Sequence, residues 1–117
     1  MLLNKTNKNV LAEEVEHFSS SASSAIGLRF RKRENCKNKA FIFHMKPESI
    51  NIIDMFFVNF PIDLIFLNKE KKVIEIKKRL MPWKSYIPKT KPYFMIELVS
   101  GILHDDAINK GDLVLIE

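Results

Sequence analysis

Between Asp54 and Asn68 the chain is almost continuously apolar, yet two aspartates and a proline interrupt it at fixed places: Asp54-Met55-Phe56-Phe57-Val58-Asn59-Phe60-Pro61-Ile62-Asp63-Leu64-Ile65-Phe66-Leu67-Asn68. A membrane helix needs about eighteen or more consecutive apolar residues, and ionised carboxylates and a proline inside such a run are costly. The run reads instead as two buried β-strands joined by a tight corner at Pro61. Each aspartate then requires a specific partner.

The rest of the chain supports strands. Lys72-Val73-Ile74-Glu75-Ile76-Lys77 alternates polar and apolar residues as a half-buried hairpin partner does, and Tyr93–Val99, Ala40–Phe43 and Leu113–Ile116 carry similar signals. Ile50–Val58 and Ile62–Asn68 are expected as the two central strands. An early strand at Val10–Ala12 is expected to pair with Met1–Asn4. The serine-rich stretch from Ser19 to Gly27 fits either a flexible linker or a short helix with a Ser cap and Gly27 as its stop; the apolar pattern resuming at Leu28 and Phe30 favours the helix. A second short helix is expected at about residues 101–108, capped by Ser100. Met81 to Pro92 holds three prolines and Trp83 and reads as an irregular, ordered loop.

At 117 residues, 46% of them hydrophobic, the chain suits a single domain over 1–117 with one core. Strands buried on both sides and so little helix imply closure. The expected class is therefore α+β and strand-dominated: a small, closed or nearly closed β-barrel-like domain with two short helices.

Several function classes are excluded by what is missing. One cysteine, Cys36, permits no internal disulfide framework, and no Cys/His spacing suits zinc. Three glycines, Gly27, Gly101 and Gly111, are too few and too scattered for a phosphate-binding loop or a dinucleotide fingerprint, and no GxSxG occurs. Neither a metal nor a cofactor is expected. The opening Met1-Leu2-Leu3-Asn4-Lys5-Thr6 is too short and polar for a signal peptide, so a cytoplasmic location and no membrane partner are expected.

Six pieces, in order, resemble a known family: Gly27-Leu28-Arg29-Phe30-Arg31, Ala40-Phe41-Ile42-Phe43, Met55 with Pro61 to Leu67, Val73-Ile74, Phe94-Met95-Ile96-Glu97-Leu98, and Gly111-Asp112. Together they are similar to the uncharacterised family catalogued as domain of unknown function 192, over about residues 10–117. The family pattern usually has Met where this chain has Arg29, Gly-Met where it has Lys39-Ala40, and Lys-Asn where it has Phe56-Phe57. The resemblance implies a small barrel-like α+β domain with no assigned activity.

Candidate functional residues fall into three groups. Asp54 and Asp63, on strands expected to be consecutive, would form an acid/base pair if their carboxylates converged; alternatively Asp63 locks a strand corner by accepting backbone N–H bonds. Arg29, Arg31, Lys32 and Arg33 form the densest basic cluster, and residues 27–91 carry 16 basic and 6 acidic side chains against 3 and 8 in the flanks. That surface would attract phosphate or an acidic partner, unless it reflects a Lys-rich composition, and Arg29 would equally suit a buried acid such as Asp63 or Glu97. Trp83 is the third candidate, as a stacking platform or as a plug for one end of the barrel. If the loops Arg31–Lys39 and Met81–Lys91 share an end, Arg31, Arg33, Trp83, Lys84 and Tyr86 would frame an aromatic, cationic mouth.

The residues thus point to a non-catalytic binding or accessory module for a small anionic, sugar-like or acidic partner, with Arg29, Arg31, Arg33, Trp83, Lys84 and Tyr86 as its binding side chains. Two alternatives stay open: a small hydrolase-like enzyme using Asp54 and Asp63, and a weak nucleic-acid binder acting through the basic loops.

Overall fold

Strand β6 (Ile62–Leu67) is buried along its whole length because both its faces are covered by different parts of the chain. Residues alternate across a strand, so Ile62, Leu64 and Phe66 enter one apolar cluster while Ile65 and Leu67 enter another on the far side. The computed structural model describes residues 1–18, 28–49 and 51–117.

The other strands are β1 (Leu2–Asn4), β2 (Val10–Ala12), β3 (Glu14–Phe18), β4 (Lys39–His44), β5 (Ile53–Asp54), β7 (Val73–Leu80), β8 (Ser85–Tyr86), β9 (Phe94–Val99) and β10 (Val114–Ile116). Five form a central sheet in the order β3-β4-β9-β6-β7, antiparallel except for the parallel pair β3 and β4. A three-stranded sheet, β10-β1-β2, contributes Leu2, Leu11, Ala12 and Val114 to one apolar cluster. The opposite cluster takes Ile53 from the small β5–β8 ribbon, Met55, Val58 and Phe60 after it, and Leu28 and Cys36.

This arrangement corrects the expected class. The five-stranded sheet ends on β3 and β7, which do not pair with each other among the described residues, so there is no closed barrel. The closure argument assumed a single sheet; here a second sheet and a ribbon cover the two faces instead. There is also no α-helix among the described residues, only a 3-10 turn at Arg33–Asn35. Of the two expected helices, that at 19–27 lies outside the described residues. The one at 101–108 is a run of turns: Gly101 has φ +88°, which breaks the helix at its first turn, and the Ala107 carbonyl accepts a bond from Asn4 Nδ2 at 3.0 Å instead of continuing a helical ladder.

The Pro61 corner also differs from expectation. Strand β5 is only two residues long and pairs with β8, not β6. Beyond Asp54 the chain breaks into turns through Phe60, since Phe57 takes a left-handed backbone with φ +62° and Asp54 turns back to accept the Phe56 N–H. No helix among the described residues is long and apolar enough to cross a membrane.

Candidate functional site

Three turns meet on the β5–β8 side of the central sheet, and their backbones are tied directly to one another. The Phe30 N–H donates to the Phe57 carbonyl at 2.9 Å, the Trp83 N–H to the Met55 carbonyl at 3.2 Å, and the Met55 N–H to the Lys84 carbonyl at 2.8 Å. Arg29 adds a side-chain clamp. Its Nη2 donates to Asp54 Oδ1 at 2.5 Å and its Nη1 to the Phe56 carbonyl at 2.7 Å, while Asp54 Oδ1 also accepts the Phe56 N–H at 3.1 Å.

These ties hold four aromatic rings at the surface. Phe30 stacks on Phe57 with centroids 4.8 Å apart, Phe57 meets Trp83 edge-on at 5.2 Å, and Phe56 lies 5.7 Å from Trp83. Burial does not account for the cluster: Phe30 is 76% exposed and Trp83 56%, and Phe56, Phe57 and Met81 are also exposed. Nor does backbone preference, because Phe30, Phe57 and Trp83 have φ of +62°, +62° and +66°. A bulky L-residue in the left-handed region is a true outlier, and such strain gathers at functional sites.

Cationic groups border the rings. Phe30 lines one wall of an open depression of about 440 Å³ shared with Arg31, Lys32, Asn35 and Lys39. Arg31 is anchored there: Nη1 donates to Glu16 Oε2 at 2.7 Å, and its guanidinium carbon lies 5.0 Å from the centre of the Phe41 ring. Lys84 follows Trp83 and is exposed.

The sequence candidates therefore separate. Arg31, Trp83 and Lys84 sit on or beside the aromatic cluster, and Trp83 is a surface residue instead of a core plug. Arg29 serves as the clamp beneath it. Arg33 lies in the 3-10 turn. Tyr86 turns inward, stacking on Phe66 at 6.0 Å and donating its hydroxyl to Glu75. Burial raises the Tyr86 phenol to about 12, and the Glu75 carboxylate adds to the rise. Burial also pushes Glu75 upward, but bonds from the Thr90 and Tyr86 side chains and the Lys89 and Thr90 N–H groups outweigh it and leave Glu75 below its ordinary range. This carboxylate orders the second half of the Met81–Pro92 loop.

Asp54 and Asp63 are not brought together. Ile62 and Leu64 point toward the aromatic side, so Asp63 between them points away, and its Oδ1 accepts the Arg79 N–H at 2.9 Å. That N–H belongs to a bulge in β7, where Arg79 has φ +58°. Asp63 has the backbone N–H partner that its strand-corner role requires, and neither Arg29 nor Arg31 supplies it.

The acid that does share the Arg29–Asp54 field is Glu97. It lies on β9 opposite Phe41 and Leu64, on the same face as Met95 and Val99. Burial pushes its carboxyl up to about 8, with Arg29 pulling it back and Asp54 adding to the rise. Cys36 is buried, and burial raises its thiol above the ordinary value despite Arg31 and Lys39. It is not poised as a nucleophile. No group of three or more His, Cys, Asp or Glu side chains suited to a metal occurs among the described residues.

Sequence reasoning missed Phe30, Phe56 and Phe57 as site residues. No local sequence signal marked them: successive large apolar residues also occur in β6, where all of them are buried.

Comparison with known proteins shows the family and the fold. The sequence model of the family DUF192, described as Uncharacterized ACR, matches residues 2–116. A UPF0127 protein of Pyrococcus furiosus is 28% identical over 111 residues, covering 95% of this chain and 93% of that protein. One from Pyrococcus horikoshii is 29% identical over 114 residues, covering 97% and 96%. Among solved structures, a protein of unknown function from Novosphingobium aromaticivorans superposes with a TM-score of 0.82 at 23% identity, over 98% of this chain and 82% of the other, a likeness of fold.

Proposed function

Because the chain belongs to the uncharacterised DUF192 family, its function is read from its own surface, and we propose a non-catalytic binding module whose aromatic cluster holds a small anionic ligand with a flat or sugar-like face. A sugar phosphate or a nucleotide has that chemistry. The observation that carries the reading is the set of exposed rings in which Phe30 stacks on Phe57 and Phe57 meets Trp83 edge-on, all three on left-handed backbone. Strain and exposure both oppose folding, so a surface that keeps both is best explained by what the rings contact. Rings at a surface stack on sugars and bases, and Arg31, Lys32 and Lys84 at the margin supply charge for phosphate. A cytoplasmic setting belongs to the same reading, consistent with a single buried thiol.

The hydrolase-like alternative loses its basis, since Asp54 is engaged by Arg29 and Asp63 by the β7 bulge on the other face. A thermal-shift panel of nucleotides, phosphorylated sugars, neutral sugars and single-stranded oligonucleotides tests the proposal. Stabilisation by the small anionic members, rising with the logarithm of concentration, is expected. Stabilisation only by oligonucleotides, falling steeply with salt, would favour the nucleic-acid reading instead. No response to any member would refute both.

A further inference from the structure

His17 and His44 lie 27 positions apart in sequence, yet the sheet brings their rings together. Strands β3 and β4 run parallel with His17 opposite Ile42, so His44, two residues further along β4, projects from the same face as the diagonal neighbour of His17. His17 Nδ1 and His44 Nε2 are 3.1 Å apart, and the ring centroids are 5.3 Å apart with planes inclined at 39°. Both residues are exposed. The His44 ring is further oriented by Phe94, which meets it edge-on at 5.2 Å.

We propose that His17 and His44 form an open, two-nitrogen site for a borderline divalent transition ion, copper first, then nickel or zinc. Two imidazole nitrogens 3.1 Å apart, each about 2.0–2.1 Å from one ion, subtend an angle at that ion of about 100°, between square-planar and tetrahedral values. The pair is thus already at the spacing that chelation needs. In the ion's absence one ring donates an N–H to the other. Binding requires that this ring take its other tautomer, with N–H on the outer nitrogen, and that the two exposed rings turn so that their inner lone pairs converge on the ion instead of on each other. Neutral imidazole nitrogens without thiolate or carboxylate company suit copper, nickel and zinc over calcium or magnesium. Since no third Cys, His, Asp or Glu joins the pair among the described residues, the remaining positions fall to water or an external donor, as in an open site. Lys71 holds its ammonium over the Phe94 ring at 5.2 Å, the ring that meets His44 edge-on.

Copper(II) added to the full chain at neutral pH in a non-coordinating buffer, followed by calorimetry and electron paramagnetic resonance, tests the site. One equivalent with splitting from two imidazole nitrogens is expected. His17→Gln and His44→Gln should each weaken binding by at least about tenfold and remove one nitrogen from the spectrum, while His104→Gln leaves both unchanged. Both substituted side chains are exposed, so matched thermal unfolding shows whether the variants fold. Equal copper affinity in wild type and the His17→Gln/His44→Gln double variant, or a spectrum with fewer than two imidazole nitrogens, would overturn the proposal.

Discussion

Phe30 and Phe57 stack face to face at 4.8 Å, with the Phe30 N–H bonded to the Phe57 carbonyl and both residues at φ +62°. Two phenylalanines far apart in sequence thus share an identical unfavourable backbone state and support each other in it. The strain is separable from the ring by substitution. Phe57→Ala and Phe57→Gly both remove the ring, but only alanine keeps a Cβ in the left-handed region. The glycine variant should therefore be more stable than the alanine variant by about 1 kcal/mol in urea unfolding. An alanine variant as stable as glycine or more so would mean that this turn is unstrained.

Asp63 holds the β7 bulge through one bond from its Oδ1 to the Arg79 N–H. Asp63→Ala orphans that N–H and should cost on the order of 1–3 kcal/mol in denaturant unfolding. Asp63→Asn keeps an oxygen acceptor and should cost less. Equal losses in the two variants would show that the charge, not the bond to the bulge, is what matters.

The Glu97 carboxyl, raised to about 8 by burial with Arg29 opposing and Asp54 reinforcing the rise, titrates in the unfolded chain near its ordinary 4.5. Between these values the folded state keeps a proton that the unfolded state has released, so stability falls as pH rises through the window. Below it both states are protonated and the contribution is complete. Glu97→Gln never ionises, so its stability relative to wild type should be flat below pH 4.5 and grow by on the order of a few kcal/mol toward pH 8. A difference constant from pH 4 to 9 would contradict the assignment.

Tyr86 belongs to the scaffold by its contacts, despite its place in the loop that carries Trp83. Tyr86→Phe keeps the stacking on Phe66 but removes the hydroxyl donor to Glu75. A loss on the order of 1–2 kcal/mol is expected in chemical unfolding, with ligand affinity unchanged. A variant with full stability and weakened binding would place Tyr86 in the site.

Much of the strand content was legible because it rests on short-range pattern: the alternation in Lys72–Lys77 became part of β7, and the apolar run after Pro61 became β6. The coverage of β6 was not legible. An apolar run reports that both faces are buried, not whether a closed barrel or a second sheet buries them. The turns at 101–108 defeated the helix expectation because Gly101 is left-handed and the Ala107 carbonyl is satisfied by Asn4 of β1, more than 100 residues away in sequence. Trp83, Arg31 and Lys84 could be named from residue type alone. Phe30 and Phe57 could not, since a left-handed backbone at a phenylalanine is imposed by the neighbouring turns and leaves no local mark.

Trp83 is the single tryptophan of the chain, so its emission reports from inside the proposed binding surface with no other indole contributing. The most direct test is a fluorescence titration of the wild type and of Phe57→Gly with nucleotides and sugar phosphates. Saturable change in the wild type, weakened by at least about tenfold in a Phe57→Gly variant that remains folded, is the predicted result. Emission unmoved by any of these ligands, or equal affinity in the two proteins, would contradict the account.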